Sequence, residues 1–233
     1  MFSILKIITY VGKSIYYRLI AMAMIDIVLP EGNEDGLAVM GKGLGFGCLV
    51  FLYPLKNFNN EKDNEIKNNV KNLEKKYDVK TSIGILADIK ELDRAKRTGA
   101  IVFVKSSEND LQALESGKAE VMFGFEGAAR KDYIHQRASG LNHVLCDIAK
   151  RKNVSAAFSF SEILNSDERK KTMGRISQNI ALCRKSKVNM LIGSFAGKPY
   201  EMRAPKDLKS LFSLLGMNAK ELNDSFESKI QKD

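Results

Sequence analysis

The chain of 233 residues has no tryptophan, four prolines, two histidines and three cysteines. The shortage of histidine restricts metal chemistry, since a two-metal hydrolytic site needs several histidines and carboxylates at strand ends. His135 and His143 lie eight residues apart across a glycine, so they do not form an HxxxH helix pair. Cys48, Cys146 and Cys183 show no CxxC spacing, which favours reduced, buried thiols in a cytoplasmic protein.

The sequence also lacks an uncharged apolar run of the ~18 residues that a membrane-spanning helix needs. Residues 1–23 come nearest, but three basic side chains interrupt them. Three interpretations stay open for this segment: a start of translation at Met22 or Met24, an amphipathic extension, or an export signal. We treat 1–23 as an N-terminal extension and expect 24–233 to form one domain with no membrane partner.

Two motifs that bind phosphate or supply a nucleophile are missing as well. The glycines from Gly41 to Gly47 precede the apolar run Cys48–Leu52, whereas a phosphate-binding glycine cluster follows a strand and opens a helix. Without a GK[ST] sequence, we interpret these glycines as a helix C-cap and a loop. No GxSxG occurs, and we interpret Ser159 as the end of a strand that meets a helix cap.

Short apolar runs rich in β-branched or aromatic residues are typical of buried strands. They are Ile25–Leu29, Cys48–Leu52, Thr81–Leu86, Ala100–Val104, Val121–Phe125, Val154–Phe158 and Val188–Ile192. Segments of helical periodicity separate them, such as the one that contains Leu141, Val144, Leu145 and Ile148. This alternation predicts an α/β fold with a parallel sheet covered by helices. We expect an irregular TIM-like barrel of about seven or more strands, with an open doubly wound sheet as the alternative.

Positive charge is concentrated in one part of the chain. Residues 130–187 hold thirteen Lys/Arg against five Asp/Glu, a net of +8, whereas the whole chain carries +9 and residues 24–129 sum to −3. Periodicity places Lys171, Arg175 and Lys185 on the side of a helix opposite its apolar residues. One basic cluster is usually a solvated face, but four within sixty residues indicate a polyanion partner, because phosphate contacts supply much of the affinity for nucleic acid.

Three motifs carry a family resemblance. Asp132–Leu145 places tyrosine, histidine, arginine and asparagine around a turn that leads into a helix, and such side chains can stack on or hydrogen-bond to RNA. Ile163–Lys185 and Met202–Leu208 follow in the same order as in the family. The chain resembles ribonuclease P protein component 3, an archaeal member of a tRNA-processing ribonucleoprotein family, over most of Met24 to Ile230.

The resemblance implies a barrel similar to metallophosphoesterase barrels but without their metal ligands. It also implies a non-catalytic RNA-binding subunit of ribonuclease P, an endonuclease whose RNA positions Mg²⁺ and removes the 5′ leader from precursor tRNA. Archaeal members pair with a smaller protein, component 2, and the pair can dimerise. The expected partners are therefore the ribonuclease P RNA, other protein subunits and, indirectly, precursor tRNA, with no cofactor or metal on this chain.

Carried over onto this sequence, the residues expected to face RNA are cationic side chains and one histidine. They are Arg130, Lys131, His135, Arg137, Lys150, Arg151, Arg175, Arg184, Arg203 and Lys206. Position 206 is lysine where the family commonly has arginine. Arg203 has an alternative role in bracing the helix that starts at Pro205, and we expect Asp207 to lie in the first turn of that helix. No catalytic residue is expected.

Two other functions are compatible with the residues alone. A barrel metallophosphoesterase with its own metal site would cleave phosphate esters without RNA, and a scaffold for protein partners would carry its basic charge incidentally. The sequence disfavours the first through its lack of histidine and the second through the clustering of its cations.

Overall fold

The structure, a computed structural model, describes residues 24–58, 62–127, 132 and 137–226. Seven strands run through it: β1 Ile25–Val28, β2 Cys48–Pro54, β3 Lys80–Leu86, β4 Ile101–Lys105, β5 Val121–Phe123, β6 Ser155–Ser159 and β7 Met190–Gly193. The helices are α1 Glu34–Leu44, α2 Lys62–Tyr77, α3 Leu92–Arg97, α4 Asp110–Ser116, α5 His143–Arg151, α6 Phe160–Leu164, α7 Arg169–Ser186, α8 Pro205–Leu214 and α9 Ala219–Asp224. Short 3₁₀ turns lie at Leu55–Asn57, Ile89–Glu91, Phe125–Gly127 and Pro199–Glu201.

All seven strands are parallel and lie in the order in which they occur along the chain. The sheet curves until β7 comes beside β1, where the Phe195 amide donates to the Ile27 carbonyl at 2.7 Å and the Leu29 amide to the Ala196 carbonyl at 2.9 Å. The result is a nearly closed barrel with helices outside it. The expected fold is confirmed, and the open doubly wound alternative is wrong.

Asp26 completes this seam between the first and last strands. Its carboxylate is fully buried and accepts hydrogen bonds from the Ser194 amide at 2.6 Å and the Ser194 hydroxyl at 2.7 Å. Burial raises the pKa of Asp26 to about 6, although the bonds from Ser194 and the Ile27 amide pull it down. Asp26 therefore stands in for a strand-to-strand bond where the ladder is incomplete.

Two apolar layers hold the barrel together. Alternate strand residues such as Ile27, Val50 and Phe103 fill the interior, while residues on the other face, such as Phe51 and Phe158, pack under the helices. Burial of both faces explains why the strands are continuous apolar runs rather than alternating ones.

Several local predictions are confirmed. Helix α1 ends at a left-handed Gly45 (φ 90°) before β2, as the glycine cluster predicted. Ser159 accepts a hydrogen bond from the Glu162 amide at the start of α6. All three cysteines are free and buried. None of the helices in the described ranges is long and apolar enough to cross a membrane.

Candidate nucleic-acid interface

The carboxyl ends of the strands form the mouth of the barrel, where barrel enzymes hold their catalytic groups. In this chain Leu29, Leu86 and Phe123 belong to the interior apolar cluster at that end, and the Phe123 and Phe195 rings stack with centroids 4.7 Å apart. The ion pair there joins Lys105 Nζ to Glu162 Oε1 at 3.0 Å. The described residues contain no group of three His, Cys, Asp or Glu side chains arranged to hold a metal. Among the described residues, the interior at the mouth is thus lined by apolar side chains.

The cations of the basic segment lie outside the barrel, on two helices that contact each other. Helices between parallel strands run opposite to them, so α5 and α7 both start at the barrel mouth and end at the far side. Helix α7 alone has 18 residues, a length of about 27 Å. The cations that the sequence concentrates in residues 130–187 therefore divide between the two ends of this helix pair.

We call the two resulting groups the upper and the lower cluster. The upper cluster, near the mouth, consists of Arg137 and the first turn of α7, Arg169–Lys171. The lower cluster, at the far end, consists of Lys150, Arg151, Lys185 and Lys187. Apart from the partly exposed Lys171, all of these side chains are exposed. The chain thus presents positive charge at both ends of one outer face.

The sequence predicted that Arg175 faces solvent, but this prediction is wrong, because the side chain is buried. Its side chain is only 5% exposed; Nε and Nη2 donate to Asp132 Oδ1 at 3.1 and 2.9 Å, and Nη1 donates to the Glu126 carbonyl at 2.9 Å. Desolvation pushes the pKa of Asp132 up, but the Ala138 amide and the Arg175 guanidinium outweigh it and hold the pKa below its usual value. Arg175 therefore fastens the segment after β5 onto α7.

Two more of the expected RNA-facing arginines are engaged within the protein. Arg184 makes a two-pronged pair with Glu221, with both distances 2.6 Å, and donates to the Gly216 carbonyl at 2.5 Å. Arg203 donates to the Tyr200 and Met202 carbonyls, both at 2.8 Å, and its guanidinium lies 5.2 Å from the centre of the Phe160 ring. Both guanidinium groups brace the turns around α8 and α9.

The remaining expected site residues are either exposed or outside the described residues. Arg137, Lys150, Arg151 and Lys206 are exposed, so they are available to a ligand. Arg130, Lys131 and His135 lie outside the described residues. Asp207 lies in the first turn of α8, as expected, where its charge suits the helix dipole.

Sequence reasoning missed the residues that shape the upper cluster. Gln178 Nε2 donates to the Arg137 carbonyl at 3.0 Å, and Asn179 Nδ2 donates to the Ser139 carbonyl at 2.8 Å. An added methyl group on Gly174 would lie 2.7 Å from Arg137 Nε. A polar residue such as Asn179, one turn after Arg175 on the flank of an apolar stripe, was the available signal.

Helix α5 begins at a capping residue. Asn142, the asparagine of the Asp132–Leu145 motif, accepts a hydrogen bond from the Leu145 amide at 2.9 Å and so caps this helix. The cap orients the helix so that Lys150 and Arg151 lie in its last turn, where cations also suit the helix dipole.

Comparisons with known proteins agree with this architecture. A family model described as RNase P subunit p30 matches residues 131–232. Ribonuclease P protein component 3 of Methanothermobacter thermautotrophicus is 23% identical over 226 residues, which cover 90% of this chain and 87% of that protein. Its counterpart in Thermococcus gammatolerans is 36% identical over 98 residues, 41% of this chain and 43% of that protein.

Solved structures show the fold. A chain of the "cryo-EM structure of archaeal Ribonuclease P with mature tRNA" superposes with a TM-score of 0.71 at 22% identity and covers 86% of each chain. An amidohydrolase superposes with a TM-score of 0.51 at 9% identity and covers 87% of this chain and 71% of that chain.

Fold and surface together define a class: a TIM-like α/β barrel with an apolar mouth and a cationic outer face on two of its helices. Such a cationic surface is typical of proteins that bind polyanions. The chain is similar to ribonuclease P protein component 3 proteins along most of its length, and the RNase P subunit p30 family model matches its last part, residues 131–232.

Proposed function

We propose that this chain is an RNA-binding protein subunit of ribonuclease P that supports the catalytic RNA in removing the 5′ leader from precursor tRNA. The observation that carries the proposal is the cationic outer face of α5 and α7 on a chain similar to ribonuclease P protein component 3. Lys and Arg side chains along such a face neutralise crowded phosphates and release their counterions. The protein thereby stabilises the folded form of the RNA.

The chemistry of cleavage belongs, in this proposal, to the RNA and its Mg²⁺ ions. The apolar lining of the barrel mouth supports this division, because Leu29, Leu86, Phe123 and Phe195 lie at the end where a barrel hydrolase holds its catalytic groups. A metallophosphoesterase would need a polar, concave site there, so we favour the RNA-binding function over it.

Partners follow from the same proposal. The RNA subunit and other ribonuclease P proteins are the expected partners, with component 2 as the specific protein partner and precursor tRNA reached through the assembled particle. We also expect the protein in the cytoplasm, where precursor tRNA of an archaeal cell is processed.

A salt titration tests the proposal directly. The purified chain is titrated with ribonuclease P RNA and with an unrelated structured RNA of equal length between 50 and ~300 mM salt. We expect binding to the ribonuclease P RNA to weaken steeply with salt and to exceed binding to the unrelated RNA throughout. Equal affinity for the two RNAs, or precursor cleavage by the protein without RNA, would contradict the proposal.

A further inference from the structure

Arg137 lies in a notch on the surface of α7 that exists because residue 174 is glycine. A Cβ atom at Gly174 would lie 2.7 Å from Arg137 Nε, closer than Cβ atoms approach in real proteins, and at a tight 3.1 Å from its Cζ, so the Arg137 side chain would have to move away from this position. The long side chain of Arg137 therefore packs against α7 at the position where the helix has no side chain. Glycine lowers helix stability, so its place inside α7 calls for a reason of this kind.

The backbone beside this notch is held on both sides of Arg137. Gln178, four residues after Gly174, donates to the Arg137 carbonyl at 3.0 Å and to Ser139 Oγ at 2.9 Å. The next amide, that of Ala138, donates to Asp132 Oδ1 at 2.7 Å, the oxygen that Arg175 also binds. Arg137 is thus fixed at its backbone while its guanidinium lies along the helix.

The first turn of α7 supplies the other charges. Lys170 and Lys171 lie four and three residues before Gly174, so they share its side of the helix. The first turn contains no acidic residue, and cations there oppose the helix dipole. Lys171 Nζ is paired with Glu168 at 2.9 Å, with its side chain 31% exposed. The pair with Glu168 offsets the charge of Lys171, and an anionic ligand would offset that of the exposed Lys170.

We propose that Gly174 is a positioning residue that seats Arg137 beside Lys170 and Lys171, so that the three cations bind successive phosphates of an RNA strand. The inference deepens the proposed function and rests on it. Arg137 held in place before binding loses less side-chain entropy when it meets a phosphate, and its planar group offers two parallel donors. The upper cluster is then a built site for a phosphate backbone, not a collection of solvated charges.

The central test is Gly174→Ala, which changes no charge. Gly43→Ala is the matched control, since Gly43 lies in α1 and a Cβ there meets no atom within 4 Å. We expect both variants to unfold at the temperature of the wild type or above it, because alanine favours helix. Only Gly174→Ala should weaken binding to ribonuclease P RNA, by about three- to tenfold at low salt.

Arg137→Gln sharpens the RNA arm of the test. It should lower the slope of log K against log salt by about 0.9, the value of one phosphate contact. In the double variant, Gly174→Ala should add little to the loss caused by Arg137→Gln, since both remove the same contact. Wild-type affinity for Gly174→Ala, with or without a loss in Arg137→Gln, would overturn the proposal.

An arm without RNA separates the notch from the proposed function. Trypsin cleaves after arginine, so mass spectrometry of native digests gives the rate of cleavage between Arg137 and Ala138. We expect several-fold faster cleavage in Gly174→Ala and wild-type cleavage in Gly43→Ala, whereas equal rates in all three proteins would overturn the seating of Arg137. If wild-type protein fails to bind the RNA, the proposed function fails, and this digestion still decides whether Gly174 seats Arg137.

Discussion

The mouth of the barrel and the outer face of α5 and α7 differ in how they treat charge. At the mouth, apolar side chains fill the interior and Lys105 is paired with Glu162. On the outer face, Lys150, Arg151 and Lys170 extend into solvent from helices that contact each other. A barrel scaffold can therefore lose the chemistry of its mouth and act through its outer helices, because folding requires only that the strands and inner helix faces remain apolar.

The contrast between the barrel mouth and the outer face of α5 and α7 is tested first at Arg175, a charged residue that is buried. We expect Arg175→Ala to lower the free energy of unfolding by about 3 kcal/mol, because it removes the buried guanidinium that donates to both Asp132 and the Glu126 carbonyl. Urea unfolding of the two proteins measures the difference. Lys170→Ala is the control, since that side chain is exposed, and it should change stability by less than ~0.5 kcal/mol. Equal stability of the two variants would mean that Arg175 does not stabilise the fold and behaves like the exposed cations of the outer face.

A second buried charge lies at the boundary between the two regions. Glu126 is 1% exposed, and within the described part of the chain neither of its carboxylate oxygens has a hydrogen-bond partner. Burial raises its pKa to about 7; its own backbone amide and Lys105 oppose this rise, and Glu162 adds to it. Since the folded pKa exceeds the usual 4.5, the protonated form is favoured in the fold, and stability is lost as pH rises from about 4.5 to 7.

We therefore expect Glu126→Met to stabilise the protein at pH 8 more than at pH 4.5, by a difference on the order of 3 kcal/mol. Methionine has a similar volume and no charge to desolvate. Urea unfolding of both proteins at the two pH values gives the difference, and Glu108→Met, at a site not buried in the core, should show none. A gain that is equal at pH 4.5 and pH 8 would mean that the pKa of Glu126 is the same in the folded and the unfolded protein.

The strands could be predicted from the sequence, but the burial of Arg175 could not. Each apolar run became a strand within one or two residues of the expected bounds, because burial on both faces leaves an unbroken pattern in the sequence. Arg175 is about 100° around α7 from Ile176, at the edge of the apolar stripe. Whether that edge is buried depends on the segment after β5, which lies some forty residues away in the chain, and no local pattern records that contact.

The clustering of charge in the sequence was informative about the partner but not about the surface. A net charge of +8 within residues 130–187 indicated a polyanion ligand. Helices α5 and α7 each cross from one end of the barrel to the other, so the same charges divide into the upper and lower clusters. Arg184 and Arg203 are then engaged within the protein, because their donors match nearby carbonyl groups and, for Arg184, a carboxylate.

The lower cluster offers a test on the outer face itself. We expect Lys150→Gln combined with Arg151→Gln to lower the salt slope of binding to ribonuclease P RNA by up to about 1.8, two phosphate contacts, without a change in stability beyond ~0.5 kcal/mol. Lys67→Gln with Lys71→Gln is the matched control, since it removes two exposed lysines of α2, away from the α5 and α7 face. Equal slopes for the two double variants would mean that the outer face has no special part in binding.

The smallest effect is expected at the mouth. Lys105→Met removes the cation of the ion pair with Glu162, whose side chains are 57% and 26% exposed. Solvent screens such a pair, so stability should fall by no more than ~1 kcal/mol. Since we assign cleavage to the RNA, leader removal by the reconstituted particle should proceed at the wild-type rate, measured under single-turnover conditions. A large loss of rate with unchanged RNA affinity and unchanged stability would contradict this assignment. It would mean that the barrel mouth takes part in cleavage, because a residue that acts only through packing would alter stability or RNA binding.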